Sequence, residues 1–214
     1  MHLENVKKGN LPNLDEANMV LEEASKMNPG PWIDHSKVVA FACKTIAEHC
    51  NLDANKAFIM GLLHDIGKRV GICSERHMLE GYKFCMEHGW NEVAQICMTH
   101  SFMIKDIRSA IGEWDVAEEH VKFTEKFIND VVYTDYDLLL QLCDSISLPN
   151  GCCLLEKRYM DIIRRYGVSE YTVPRYEAIL KIKKYFEDKI GCSIYDLLPN
   201  VVETTFDVSL IKPN

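Results

Sequence analysis

The chain has 214 residues, enough for one well-cored domain with a small appendage. Hydrophobic residues make up 47% and charged residues 26%, an ordinary globular composition that excludes disordered, collagen-like and low-complexity classes. The formal net charge of -8, with 24 Lys+Arg against 32 Asp+Glu, excludes the basic footprint of a nucleic-acid-binding protein. An acidic chain can still take an anionic substrate, but local cations such as bound metal ions must then supply the attraction.

Apolar residues recur at three- and four-residue steps almost throughout, and the alternating runs typical of strands are missing. The pattern predicts an all-α fold, a bundle with helices at about 13–27, 32–50, 53–68, 77–88, 91–103, 115–131, 134–148, 152–166 and 174–190. Asn28-Pro29-Gly30-Pro31 stops the first helix, and Gly89 stands where a C-terminal cap glycine is expected. We divide the chain into an N-terminal helix (1–28), a central core (29–150) and C-terminal helices that pack on that core (151–214), all in one compact domain.

Nine cysteines are present, an odd number without any Cys-x-x-Cys pair, and most lie inside apolar stretches. This distribution favours buried free thiols in a reducing compartment over disulfides or a structural zinc site. Residues 1–10 are charged and lack a signal-peptide core, and no run approaches the ~18 apolar residues of a membrane helix. The sequence therefore predicts a cytoplasmic protein that has no membrane partner.

The most informative stretch is Gly61-Leu62-Leu63-His64-Asp65-Ile66-Gly67-Lys68, an adjacent His-Asp pair at the end of an apolar helix. An ionised aspartate among leucines carries a heavy desolvation cost unless it is paired or bound to a metal. Gly61, one turn earlier, leaves space for a neighbouring backbone or a ligand. Lys68, one turn beyond His64, is expected on the same side. A bare His-Asp dipeptide is more often a surface feature at a frayed helix end. A metal site therefore requires further ligand-type residues elsewhere in the sequence.

Four other predicted helices each carry one inward-facing side chain of a metal-ligating type, namely His35, His77, His100 and Asp144. An inward histidine is more often a hydrogen-bonded core residue, whereas a buried acid without a partner is uncommon. With the His-Asp pair, the set has four imidazoles and two carboxylates, which suits one or two borderline transition ions. Ligands on facing helices are also the usual construction of a metal site inside a bundle.

The order His…His-Asp…Asp, centred on Leu-Leu-His-Asp-Ile-Gly-Lys, resembles the HD superfamily of metal-dependent phosphohydrolases over roughly residues 29–150. The resemblance implies that these residues form the catalytic core, with a metal site between helices. It implies that the four ligands which define the family are His35, His64, Asp65 and Asp144. It also implies that Asp65 bridges two ions, and that His77 and His100 are the extra histidines of binuclear members.

The resemblance implies hydrolysis of a small phosphate ester or nucleotide by a metal-activated water, with one or two divalent ions (Fe, Mn, Zn, Ni, Co or Mg) as cofactor. The first ion is expected mainly on His35, His64, Asp65 and Asp144, and the second on Asp65, His77 and His100. Asp65 and Lys68 are the predicted catalytic residues, because Lys68 would contact a phosphate oxygen and offset charge in the transition state. Solvated surface charge is the commoner role of the other nearby cations, but the candidates for substrate binding are Lys68, Arg69, Arg76, Lys105 and Arg108.

The sequence also bears on other substrates and functions. The cyclic-dinucleotide branch of the family carries Gly-Tyr-Pro and tandem histidines, whereas Lys83 follows Gly81-Tyr82 here and Ser101 follows His100, so that substrate is not expected. Some HD-fold proteins, such as inositol oxygenase, use a similar ligand set for a di-iron centre that activates oxygen. The His-Asp-x-x-Lys spacing favours phosphate over that alternative. A non-catalytic regulator that binds metal and nucleotide is the third option.

The segment beyond Gly151 mixes tyrosines with cations, among them Arg158, Arg164, Arg165, Arg175 and Lys181–Lys184. Such a stretch can close a substrate cleft, pack a homodimer or cover the core, and we expect it mainly to cover the core. The expected partner is a small phosphorylated molecule, and whether a second copy of the chain binds is left open.

Overall fold

The structure, a computed structural model, describes residues 11–207 of the chain. Eleven α-helices occur within this range: α1 (Leu14–Met27), α2 (Trp32–Glu48), α3 (Ala54–Leu63), α4 (Arg76–Glu87), α5 (Asn91–Thr99), α6 (Glu118–Asp130), α7 (Asp135–Asp144), α8 (Leu155–Tyr166), α9 (Thr172–Ile190), α10 (Ile194–Leu197) and α11 (Val201–Phe206). Two short strands, β1 (Ser147–Leu148) and β2 (Gly151–Cys152), pair antiparallel in a hairpin. The predicted all-α class is confirmed.

Helices α2 and α3 approach each other so closely that their backbones touch. A β-carbon built on Gly61 of α3 would lie only 2.6 Å from the Cα atom of Ala40 on α2. The missing side chain of Gly61 therefore makes room for a neighbouring backbone, one of the two roles predicted for it. The approach also brings the ring of His35 on α2 to within 5.4 Å of the ring of His64, measured between centroids.

The third helix ends earlier than the periodicity predicts, and this changes the direction of Lys68. Helix α3 stops at Leu63 rather than at residue 68, and a 3-10 helix follows over Ile66–Val70. Side chains three residues apart eclipse each other in a 3-10 helix. Lys68 consequently stands over Asp65, and not over His64 as an uninterrupted α-helix would place it.

The end of α7 also differs from the prediction of a helix to residue 148. The helix stops at Asp144, where the hydroxyls of Ser145 and Ser147 donate to the carbonyls of Gln141 and Cys143, both at 2.7 Å. Hydroxyls that bond to nearby backbone carbonyls compete with helical hydrogen bonds and favour such ends. The chain then turns through the hairpin, in which Gly151 adopts a φ of 143°. The short helices α10 and α11 were not predicted.

One large apolar cluster contains residues from both the central and the C-terminal parts of the chain. It includes Ile46 of α2 and Leu140 of α7, and also Ile179 and Phe186 of α9, all fully buried. A separate cluster packs α1 against α3 through Leu21 and Leu62. The domain boundaries at residues 28 and 150 stay a prediction. None of the helices in the described range combines the length and apolar character of a membrane span.

We predict that Gly61→Ala destabilises the protein by about 1–3 kcal/mol, because the added methyl group overpacks a backbone contact. Urea unfolding measures this change in the free energy of unfolding. Asn55→Ala, an exposed change on the same helix, is the control and should leave stability within about 0.5 kcal/mol of the wild type. A Gly61→Ala protein as stable as the wild type would contradict the close packing of α2 on α3.

Candidate metal centre

All six predicted ligand residues meet at one place between the helices. His35 comes from α2, His77 from α4 and Asp144 from the end of α7, while His64 and Asp65 follow α3 and His100 follows α5. Ring centroids of neighbouring imidazoles lie 5.1–5.4 Å apart along the series His35, His64, His100, His77. The helices thus bring together side chains that are up to 109 positions apart in the sequence.

The ligand atoms fall into two groups that share Asp65. One group consists of His35, His64 and Asp65, and the other of Asp65, His77 and His100; within each, the atoms lie within 4.8 Å of one another. Asp144 extends the first group, because its Oδ1 lies 2.9 Å from Nε2 of His35. Two oxygens on one carboxylate allow Asp65 to face both groups at once, the arrangement that a bridging ligand requires.

Three of the four histidines are held by backbone carbonyls on the side away from the centre. His64 Nδ1 lies 2.7 Å from the carbonyl oxygen of Gly61, and His77 Nδ1 lies 2.5 Å from that of Ser74. His100 Nδ1 lies 3.2 and 3.1 Å from the carbonyls of Ile96 and Cys97. A carbonyl only accepts, so each Nδ1 carries a proton, and in the neutral ring that binds metal each Nε2 then presents a lone pair to the centre.

This tautomer leaves like atoms facing each other. His77 Nε2 and His100 Nε2 are 3.3 Å apart, and neither carries a proton to place between them. Asp65 Oδ1, another acceptor, lies 3.4 Å from the first nitrogen and 3.7 Å from the second. Facing acceptors repel unless a cation lies among them. The chemistry of these three atoms therefore fits a bound metal ion.

The spacing of the atoms supports the same fit. Two ligand atoms about 2.1 Å from one ion lie about 3.0 Å apart at a right angle and about 3.4 Å apart at the tetrahedral angle. The separations given above, together with 3.5 Å between His64 Nε2 and Asp65 Oδ2, lie close to this range. His64 Nε2 and Asp65 Oδ1 are also buried without a hydrogen-bond partner in the described residues. Buried polar atoms are rarely left so, and a metal ion would satisfy both.

The protonation states match those of metal ligands. Burial lowers the pKa of His100 to about 3, and burial also lowers the pKa of His35. Burial alone would raise the pKa of the Asp65 carboxyl, but Lys68 beside it holds that pKa well below its usual range. The pKa of Asp144 is lowered in the same way against burial, chiefly by His35. Neutral imidazoles and ionised carboxylates are the forms that bind metal.

Lys68 makes a short ion pair with Asp65 at the centre. Its Nζ lies 2.5 Å from Asp65 Oδ2, and burial, which would lower the pKa of the ammonium, is outweighed by Asp65, which raises it. About 30% of the Lys68 side chain is exposed, against 3% for Asp65. The ammonium therefore lies between the buried carboxylate and the open space beyond it.

That space is a cavity of about 450 Å³, a volume within the usual range for small-ligand sites. Five of the six predicted ligands line it, namely His35, Asp65, His77, His100 and Asp144, and His64 lies behind them. Four cationic side chains also line it, and they are Lys68, Arg158, Arg165 and Arg175. Trp32, Tyr159 and Tyr166 supply aromatic surface.

The other cations predicted for substrate binding do not line this cavity. Arg69 lies over the ring of Phe84, with its guanidinium carbon 4.2 Å from the ring centroid. Lys105 donates to the carbonyls of Asn129 and Val131, at 3.0 and 2.6 Å. Arg108 pairs with Asp106 at 2.6 Å, and Arg76 approaches Asp115 at 3.9 Å. These four residues were predicted near the centre because they are close to the ligands in sequence. In the structure their side chains contact other partners.

Sequence reasoning did not assign the arginines of α8 and α9 to the cavity. Arg158 lies 4.0 Å from Asp144 Oδ1 through its Nη2 and 3.3 Å from Asp161 Oδ2 through its Nη1. Arg165 also pairs with Asp161, at 2.8 Å. The seven-residue spacing of Arg158 and Arg165 puts both on one face of a helix and was the available signal. The C-terminal helices therefore form part of the cavity wall in addition to covering the core.

Comparison with known proteins adds one finding. A family model described as HD domain matches residues 32–147, which is just over half of the chain. Neither the curated proteins nor the solved structures contain a match. The matched range begins before His35 and ends after Asp144, so it contains all six candidate ligands. Helices α8 and α9, which supply three of the cavity's cations, lie outside it.

We predict that the chelator-treated protein loses stability as the pH falls from about 6 to 4. The pKa of His100 is about 3 in the folded protein and near 6.5 when unfolded, so the unfolded state binds more protons in this window. His100 alone contributes a slope of up to about 1.4 kcal/mol per pH unit. Urea unfolding at several pH values measures the slope, which should be shallower for His100→Gln. The exposed His49→Gln is the control, and equal slopes for all three proteins would contradict the prediction.

Proposed function

The chain belongs to the HD domain family of metal-dependent phosphohydrolases, and from this premise we propose that it hydrolyses a small phosphate ester or nucleotide. The observation that carries the proposal is the pair of ligand groups that share Asp65 and lie at the wall of a cavity with Lys68 beside them. A carboxylate common to two ligand sets suits a two-ion centre, and an adjacent ammonium suits an anionic substrate.

We assign His35, His64, Asp65 and Asp144 mainly to one ion, and Asp65, His77 and His100 to a second. Divalent ions held there would clamp the phosphate and lower the pKa of a bound water toward neutrality. The backbone carbonyls behind His64, His77 and His100 fix the direction of each Nε2, so these rings need no reorientation when they bind metal. Asp144 is oriented by its 2.9 Å contact with His35 and by Arg158 at 4.0 Å.

Lys68 and Arg158 are the residues of this chain that we assign to the phosphate. Both line the cavity, and they lie beside different ligands, Lys68 at Asp65 and Arg158 at Asp144. Cations on two sides of a phosphoryl group stabilise the negative charge that its oxygens carry in the transition state. In the reaction, a water oxygen forms a new bond to phosphorus while the bond to the ester oxygen breaks, and the leaving oxygen takes up a proton.

The charge of the cavity itself also suits an anion. Its lining contains four carboxylates, Asp65, Glu75, Asp144 and Asp161, and the same number of cationic side chains. The cavity is therefore close to neutral, although the chain carries -8. One or two divalent ions would make it positive, and fields inside a cleft act strongly on a charged substrate.

We predict that the protein purified without chelator contains one to two transition ions per chain and releases phosphate from at least one member of an ester and nucleotide panel. The panel is run with Mn²⁺, Co²⁺, Ni²⁺, Fe²⁺ or Mg²⁺, with an oxygen electrode alongside. Asp65→Asn should lose the ions and the activity, because it removes the shared ligand charge. Asp34→Asn, a surface acid paired with Lys37 at 3.1 Å, is the control and should keep both.

Three outcomes of that panel would contradict the proposal. Oxygen consumption by the iron-loaded protein without phosphate release would favour a di-iron oxygenase. Tight binding of nucleotide without any product would favour a regulator. Full activity of Asp65→Asn would show that the centre described above does not carry the reaction.

We predict that Lys68→Ala lowers kcat/KM for phosphate esters about 100-fold and leaves the metal content unchanged. Lys68 is not a proposed metal ligand but donates to one, Asp65. Removal of a group that stabilises the negative charge of the transition state typically lowers the rate by about this factor. Steady-state kinetics and elemental analysis measure the two quantities. Arg69→Ala is the matched control, because the neighbouring cation does not line the cavity and should leave kcat/KM within about twofold. Equal rates for Lys68→Ala and the wild type would remove Lys68 from the site.

A further inference from the structure

The cavity has a second polar region in addition to the metal centre. Glu75, Tyr159 and Arg175, called here the polar wall, all line it and are 6%, 8% and 6% exposed. Glu75 precedes α4, whereas Tyr159 and Arg175 lie on α8 and α9, which belong to the C-terminal part of the chain. None of the three is among the residues that we assign to metal or phosphate.

Glu75 and Tyr159 each present an unpartnered atom. One carboxylate oxygen of Glu75 accepts the backbone N–H of Gly112 at 2.6 Å. Its other oxygen, Oε2, is buried and has no hydrogen-bond partner among the described residues. The buried hydroxyl of Tyr159 likewise makes no hydrogen bond of good geometry in this part of the chain, although the guanidinium of Arg175 approaches it. Such atoms lose their bonds to water without replacement, which is costly unless a ligand or bound water completes them.

Arg175 is a buried cation that no carboxylate neutralises within residues 11–207. Its Nη1 donates to the carbonyls of Ser101 and Ser109, at 3.1 and 2.5 Å, which fixes the guanidinium to the loop after α5. Glu75, the buried acid of the same wall, likewise forms no ion pair in this part of the chain and is tied to the other end of that loop through Gly112. The carboxylate of Glu75 and the guanidinium of Arg175 thus lie at the same cavity surface without forming an ion pair with each other.

The chemistry of the polar wall selects among the groups that a phosphate ester can carry. A second phosphate or a carboxylate would suit Arg175 but would be repelled by Glu75. An apolar group would leave both charges unpaired. A hydroxyl donates one hydrogen bond and accepts others, so neighbouring hydroxyls can satisfy the carboxylate, the guanidinium and the phenol without adding charge.

We propose that the polar wall binds hydroxyl groups of the substrate, which makes the substrate a phosphorylated polyol, such as a sugar phosphate or the ribose of a nucleotide. The inference rests on the proposed phosphohydrolase function, because the phosphate is what places the rest of the molecule in the cavity. Glu75 accepts from a substrate hydroxyl, and Tyr159 and Arg175 donate to substrate oxygens. These residues bind and orient the part of the molecule that does not react.

The test compares ribose 5-phosphate with cyclopentylmethyl phosphate, which keeps a five-membered ring and the phosphate but has no hydroxyl. The metal-loaded wild type should have at least a tenfold higher kcat/KM for ribose 5-phosphate, because hydrogen bonds to charged groups are worth that factor or more. Glu75→Gln and Tyr159→Phe should reduce this preference at least tenfold each. Their kcat/KM for cyclopentylmethyl phosphate should stay within threefold of the wild type.

Tyr176→Phe is the matched control. Its ring packs on that of Tyr159 at 4.8 Å between centroids, but its hydroxyl donates to Glu156 and it does not line the cavity. The control should keep the full preference. Circular dichroism and thermal unfolding establish that each variant is folded, and the two wall variants remove different atoms, so one of them suffices if the other fails to fold.

Binding provides a readout that is independent of turnover. Isothermal titration calorimetry of the chelator-treated protein should give tighter binding of ribose 5-phosphate than of cyclopentylmethyl phosphate, and Glu75→Gln should remove the difference. If no ester is hydrolysed with any metal, the proposed phosphohydrolase function fails, while this difference in binding would still support the polar wall.

Three results would overturn the inference. Equal losses on both esters in the wall variants would mean that the polar wall supports the metal centre instead. Equal affinity and equal kcat/KM of the wild type for both esters would mean that water alone satisfies the wall. A preference for ethanolamine phosphate that Glu75→Gln abolishes would assign the carboxylate to an ammonium group.

Discussion

Asp65 is the residue on which the whole centre depends. Its carboxylate is buried, ionised and shared between two groups of imidazole nitrogens, and one of its oxygens has no hydrogen-bond partner in the described residues. Lys68 donates to the other oxygen, Oδ2, whereas the Nε2 atoms of His77 and His100 approach Oδ1. A concentration of acceptors of this kind is stable only if positive charge enters it. The packing of α2 on α3 and the early end of α3 both serve to place this carboxylate.

The candidate ligands could be singled out in the sequence because each is a chemical anomaly in its helix. An acid such as Asp144 among leucines, or an imidazole such as His35 on an apolar face, stands out from a periodic pattern without knowledge of the fold. The helical class follows from the same periodicity. The helix ends could not be predicted so well, because they depend on local competitors such as the hydroxyls of Ser145 and Ser147.

The cavity wall was harder to predict than the metal ligands, for a related reason. A surface arginine and a cavity arginine look alike in sequence, because both are polar residues on amphipathic helices. Arg69 and Arg158 illustrate this. Arg69 is close to the ligands in sequence but packs on Phe84, whereas Arg158 lies beyond them in sequence and approaches Asp144. Long side chains can extend to either of several partners, and tertiary packing chooses among them. Distance along the chain from the ligands therefore predicts poorly which arginines line the cavity.

Two stretches of chain build the cavity. The six candidate ligands all lie within the stretch that matches the family, while Arg158, Tyr159, Arg165 and Arg175 come from helices beyond it. At the cavity the two stretches meet through the loop that Arg175 and Glu75 hold in place, and through the contact of Arg158 with Asp144. Substitution of the cavity-facing side chains on the C-terminal helices, with their core residues kept, would therefore redirect the candidate metal centre to a different compound, which makes these positions the natural target for redesign.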